Sequence, residues 1–321
     1  MPLWSNNTGV GADDMRLALQ PAIDDELIYT TDIKGRISAV NLTTGRTAWA
    51  TRYKDMTFTS NVATDQSAIY LGTNQGKIVK FNKANGQLIW TAEVPSTVVA
   101  APITNDDNVY VKTINEELSV FSSDDAKLKW TDQQSLPSLV LRDSSSPVID
   151  GDSVLVGYAN GKLISYNSAN GQALWNKQLT VSEGKTDVER MVDIDTTPVI
   201  KNGIIYAANY QGSLVALDGE KETQLWQAKV STYNNIALDD NNIYLTDNDG
   251  NVRAYSQTTG RELWKQDKLK YRELSAPVVI GNNVITADKE GYIHFLSTSD
   301  GHLIARVKSS SDGISADPMV I

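Results

Sequence analysis

A nine-residue frame recurs seven times in this 321-residue chain and constrains it more than any other feature. The copies are Asn41–Trp49 (NLTTGRTAW), Asn82–Trp90 (NKANGQLIW), Ser122–Trp130 (SSDDAKLKW), Asn167–Trp175 (NSANGQALW), Asp218–Trp226 (DGEKETQLW), Ser256–Trp264 (SQTTGRELW) and Ser297–Ala305 (STSDGHLIA). The fifth position is Gly in five copies, with Ala126 and Glu222 as exceptions; the ninth is Trp in six, with Ala305 as the exception. Most copies stand about 40 residues apart, the period of four-stranded propeller blades.

Each repeat reads as four short strands. In the fourth, Pro147 opens strand A, Val154–Tyr158 is strand B, Lys162–Tyr166 is strand C and Gln172–Trp175 is strand D. Asn160-Gly161 predicts a two-residue hairpin between B and C, because such turns need positive φ. Gly35, Gly76, Gly212, Gly250 and Gly291 hold the same place in other repeats, and Glu116 holds it in the third. Proline at the start of strand A removes no central ladder bond.

The expected fold is therefore all-β: one domain over 1–321, an eight-bladed β-propeller of four-stranded antiparallel blades. Trp4 precedes the first strand A at the distance of a strand D tryptophan, and Pro318 matches the start of a strand A. The eighth blade would be shared between the termini and incomplete. Trp4, Trp49, Trp90, Trp130, Trp175, Trp226 and Trp264 are expected as apolar anchors between blades rather than as a cofactor-stacking platform.

Two connections break the regularity. From the strand D Trp to the Pro of the next strand A, Trp90–Pro102 is 12 positions and Trp264–Pro277 is 13, whereas Trp130–Pro147 is 17 and Trp175–Pro198 is 23. The long pair enters successive blades and should rise side by side on the face that carries the B–C turns, where insertions in repeat arrays often bind partners. The first contains Leu139, Leu141 and Arg142. Its leucines have two readings, packing onto their own blade or forming an exposed apolar patch with one Arg, the composition of an interface centre. The second contains Asp193 and Asp195. Arg142 and Asp193 each stand five residues before their strand A Pro, so an inter-blade ion pair is one reading and a partner contact is another.

Other chemistry finds little support. The net charge of −10 argues against a nucleic-acid partner, and no Lys/Arg run suggests an anionic membrane surface. The absence of Cys excludes disulfides, thiol catalysis and Cys-ligated metals. No apolar run approaches the roughly 18 residues of a membrane span, and Met1–Trp4 has no signal-peptide pattern. Asp247–Asn251 resembles the start of a calcium loop, but Thr258 stands where the bidentate Glu is needed. Gly184-Lys185-Thr186 mimics the end of a phosphate loop whose first Gly is here Leu179. His294 and His302 have no carboxylate cluster nearby in sequence, so no metal, cofactor or catalytic residue is expected. The acids Asp193 and Asp195 could serve acid–base chemistry, but nothing in the sequence builds a pocket around them.

The frame resembles the repeat of quinone-dependent alcohol dehydrogenases, whose cofactor and calcium ligands have no counterparts here. The irregular segments carry a fuller resemblance. Ser138–Arg142, Asp193–Val199 and Gly291–His294 are similar to the family of outer-membrane protein assembly factors, BamB, over nearly the whole chain. That resemblance implies a non-enzymatic periplasmic subunit of the β-barrel assembly machinery, at the periplasmic face of the outer membrane. It would be attached only through a lipid on a longer precursor, since this chain has no Cys. It implies binding to the POTRA domains of BamA through Leu139, Leu141, Arg142, Asp193 and Asp195, with nascent outer-membrane chains as a further partner through strand addition at blade edges. The chain departs from the family in Asp143-Ser144, where Gly-Glu is usual. The alternatives are a quinone-dependent dehydrogenase-like propeller and a generic periplasmic binding propeller.

Overall fold

The structure is a computed structural model that describes residues 3–320 apart from 13–16, 18, 25, 106, 140–144, 181–185, 187–190 and 312. Its contacts divide the chain into two compact units, one of Met1–Ser135, Arg142–Ile149 and Ser168–Gln172, the other of Leu136–Leu141, Asp150–Asn167 and Ala173–Ile321.

The alternation of short apolar strands with Gly- and Asn-containing turns produces seven antiparallel sheets, each of four strands in the order A-B-C-D. Blades 1–3 span 22–52, 63–93 and 103–133 in the first unit. Blades 4–7 span 148–178, 199–229, 237–266 and 278–308, almost wholly in the second. Strands B and C carry the cores. In blade 2 every residue of strand B, Ala68–Gly72, is buried, while strand D, Leu88–Glu93, alternates exposed and half-buried. The first unit packs Tyr29, Ile37, Phe58, Ile69 and Phe81 into one cluster. A cluster in the second unit joins Tyr206, Leu214, Ile243, Leu245 and Tyr255.

A β-bulge precedes the ninth frame position in every blade, as between Ala39 and Val40 opposite Trp49 and Thr47. The extra residue bends strand D and turns the next side chain out of its own blade. The tryptophan then lies on the frame of the following blade. A Cβ built on Gly86 would stand 2.4 Å from Trp49, on Gly171 2.6 Å from Trp130, on Gly260 2.3 Å from Trp226 and on Gly301 2.4 Å from Trp264. The indole N–H of Trp90, Trp130, Trp226 and Trp264 donates to the carbonyls of Ser123, Ser168, Gln257 and Thr298. The fifth-position glycine thus serves twice, supplying a positive φ and leaving room for an indole.

This coupling corrects the blade count. Seven blades form among the described residues, not eight. Trp4 lies in no strand; its indole donates to Leu42 O at 2.8 Å and its ring lies on Gly45, so it occupies the seat of the first frame. Trp4, Trp49, Trp90, Trp130, Trp226 and Trp264 are thus each seated on the frame that follows them in the chain. The segment around Pro318 forms no strand either. There Ile314 N donates to Asp288 O, and the Asp317 carboxylate accepts from Ala276 N.

The B–C hairpins also differ from the expected two-residue turn. Tyr158 N donates to Lys162 O and Gly161 N to Tyr158 O, which leaves Ala159, Asn160 and Gly161 as a three-residue loop. Only Gly161 has a positive φ, 76°, the pattern of a type I turn followed by a left-handed bulge residue. In blade 5 the left-handed residue is Gln211 rather than Gly212. Gly212 answers a different demand, since a Cβ there would stand 2.3 Å from the Asn209 amide.

Candidate partner-binding loops

The D–A connections and B–C turns lie at the same end of each blade, so the two long connections belong with the turns they cross. In the first, Leu136 and Leu139 are 50% and 41% exposed. Both stand clear of the core. Leu141 and Arg142 lie outside the described residues, as does the Arg142 half of the expected pair with Asp193.

In the second connection residues 191–196 are all buried, whereas Thr186 is exposed. Alternating Met191, Val192 and Ile194 with acids in an irregular segment forces main-chain groups inward, where each needs a partner. Blades 4 and 5 supply them. Ile194 N donates to Tyr158 O at 3.3 Å, in the blade that the first connection enters. Tyr210 N donates to Asp193 O at 3.0 Å, and Asn209 Nδ2 to Val192 O at 3.3 Å. Thr196 Oγ1 donates to Ala208 O at 2.6 Å and accepts from Ala208 N at 3.1 Å. Asp193 is 0% and Asp195 6% exposed. Both acids thus lie inside the loop rather than on its surface.

The same end carries charge networks that the sequence reading missed. In blade 7 Asp288, fully buried, accepts from His294 Nε2 at 2.7 Å, Arg272 Nη1 at 2.7 Å and Tyr292 N at 2.8 Å. Burial pushes its carboxyl up, but the bonds from His294, the Tyr292 amide and Arg272 outweigh that and hold it below its ordinary range. The signal was present: Asp288 stands six residues before His294, and the turn between folds one onto the other. In blade 6 Asp247 caps its own turn, accepting from Asp249 N and Asn251 N. Arg253 bonds Asp247 at 2.6 Å and Glu262 at 2.5 Å. The apparent calcium loop is thus a hairpin whose acid already faces a guanidinium. No set of three His, Cys, Asp or Glu among the described residues is arranged to hold a metal.

The family described as outer membrane protein assembly factor BamB matches residues 33–266 and 248–320. The chain belongs to the BamB family. A relative from Yersinia pestis bearing that name is 30% identical over 99% of this chain and 84% of its own length. The crystal structure of BamB from Moraxella catarrhalis is 25% identical and superposes with a TM-score of 0.87, covering 93% of this chain and 89% of that one. A europium-containing methanol dehydrogenase also superposes, with a TM-score of 0.76 at 11% identity over 91% of this chain and 78% of that one. The dehydrogenase shares the fold alone, whereas the BamB family match spans both long connections.

Proposed function

We propose that this chain is a non-enzymatic scaffold of the outer-membrane β-barrel assembly complex, on the periplasmic side of that membrane, and binds the POTRA domains of BamA through its two long connections. The observation that carries the reading is the contrast between them. Leu136 and Leu139 are exposed on one connection, while 191–196 of the other is buried and pinned by hydrogen bonds to Tyr158, Ala208, Asn209 and Tyr210. An apolar tip on a fixed base contributes contact area without a large ordering cost. Leu139 and Leu141 supply most of the affinity, Arg142 orients the partner, and Asp193 and Asp195 fix the shape of the surface. Relatives carrying the assembly-factor name support the complex as the setting.

A photo-activated cross-linking residue at Leu139 should give an adduct with BamA in cell envelopes. The same residue at Leu128, on strand D of blade 3 and 57% exposed, should not. Equal adducts from both places, or none from Leu139, would count against the assignment.

A further inference from the structure

Two departures from the repeat, one in blade 4 and one in the frame of blade 5, face one cavity. In five blades the third residue of strand B is a tyrosine beside the strand D tryptophan. The pairs are Tyr29–Trp49, Tyr70–Trp90, Tyr110–Trp130, Tyr206–Trp226 and Tyr244–Trp264, with ring centroids 6.3, 6.0, 6.3, 6.1 and 5.9 Å apart. In blades 2 and 6 the phenol also donates to an aspartate that follows strand A, Tyr70 to Asp65 at 2.7 Å and Tyr244 to Asp239 at 2.6 Å. Blade 7 lacks both rings, with Ile285 and Ala305. Blade 4 keeps Trp175 and, at the place of Asp65 and Asp239, Asp150, but has Leu155 where the tyrosine belongs. The second departure is Glu222. It replaces the glycine on which Trp175 would lie, at a φ of 56°. Its long side chain stands where the glycines of other frames, and the small Ala126, admit an indole.

The result is a cavity of about 260 Å³ lined by Asp150, Leu155, Trp175, Ile200, Ile205 and Glu222, among others. Leu155 is buried at 2% exposure, and Leu174 at the rim is 52% exposed. The Ser153 hydroxyl bonds the Asp150 carbonyl, not its carboxylate. Among the described residues nothing donates to the Asp150 carboxylate.

We propose that this cavity is a docking site for a tyrosine side chain of a partner protein, whose ring takes the place left by Leu155 and whose phenol donates to Asp150. The sister blades define the occupant: the same aspartate and the same tryptophan, completed by a phenol. Walls of Leu155, Ile200 and Ile205 favour an uncharged ring over an ammonium group, and a tyrosine offers both the ring and the donor. The cavity lies at the A–B and C–D turn end of blades 4 and 5, opposite the D–A connections. It is therefore open to a second partner segment while those connections are engaged.

The test is a titration of the full chain with p-cresol, read from the Trp175 indole N–H by NMR, with toluene and n-butylammonium as comparisons. Saturable p-cresol binding is expected, with toluene roughly ten-fold weaker for want of the charge-assisted hydrogen bond. Leu155→Tyr should fill the cavity with the residue of the sister blades and abolish the p-cresol shifts. Asp150→Asn, at an exposed turn, should reduce p-cresol toward the level of toluene. Absence of saturable p-cresol binding, undiminished binding to Leu155→Tyr, or preference for n-butylammonium would each overturn the proposal. None of these outcomes bears on BamA binding, which is measured at the other end of the blades.

Discussion

At the residue scale the molecule rests on one recurring contact, an indole against a glycine of the next blade. Trp264 is 9% exposed, presses on Gly301 and donates to Thr298 O. Trp264→Ala should cost about 3–5 kcal/mol, the usual range for removing a large aromatic from a packed site, and urea denaturation would measure it. Left-handed positions give a second prediction with the opposite sign. Glu116 has a φ of 65° where the B–C turns of every other blade but the fifth, which has Gln211, have glycine. Glu116→Gly relieves that strain by roughly 1 kcal/mol. However, Glu116 also forms an ion pair with Lys112 at 3.3 Å with both side chains buried, so the gain should appear only when Lys112 is replaced as well. A double-mutant cycle separates the two contributions.

Acid sensitivity belongs to the same scale. Asp288 titrates below its ordinary range in the folded chain, and so do Asp65 and Asp239, where burial raises the carboxyl but bonds from Tyr70 and Tyr244 prevail. A depressed folded pKa means the stabilisation is complete above the unfolded carboxylate value of about 4 and is lost as pH falls through the folded values. Urea midpoints should hold steady from neutral pH to about 5 and fall steeply below about 4. Asp288→Asn should lower the neutral midpoint and flatten part of that acid fall; an unchanged acid slope would remove Asp288 from the explanation.

At the scale of strands and loops, the sequence displayed most of the plan. The frame located every strand D, and the Pro and Gly positions bounded strands A, B and C. What escaped it was geometry of a single residue. Asn160-Gly161 reads as a two-residue turn, but the type I turn needs positive φ only at its last position, so Ala159 joins the loop. Loop length showed which connections were irregular, but not which residues would be exposed. Asp193 and Asp195 look solvated in an acidic loop, yet Met191, Val192 and Ile194 draw the whole segment inward. Asp193→Ala should destabilise that loop by about 1–3 kcal/mol. Limited proteolysis should then cut within 181–195 more readily, with little change in the unfolding of distant blades. Equal protease resistance in wild type and variant would contradict the base-of-the-loop role.

At the scale of the molecule, the number of blades follows the frames and not the tryptophans. Each indole belongs to one blade and seats on the next, so Trp4 announces the first frame rather than an additional blade. That offset is invisible in a linear pattern, because it depends on a bulge that turns the side chain out of its own sheet. The resemblance to the family lies in the irregular segments, and the proposed partner surface rests on which of their residues stay in solvent.

The most direct test is calorimetric titration of this chain with the isolated POTRA domains of its cognate BamA. The proposed surface requires binding near one to one, with hot-spot losses of about 2 kcal/mol or more in Leu139→Ala/Arg142→Ala while the variant retains wild-type circular dichroism and melting. Undiminished binding by that folded double variant, or no binding by the wild-type chain, would contradict it.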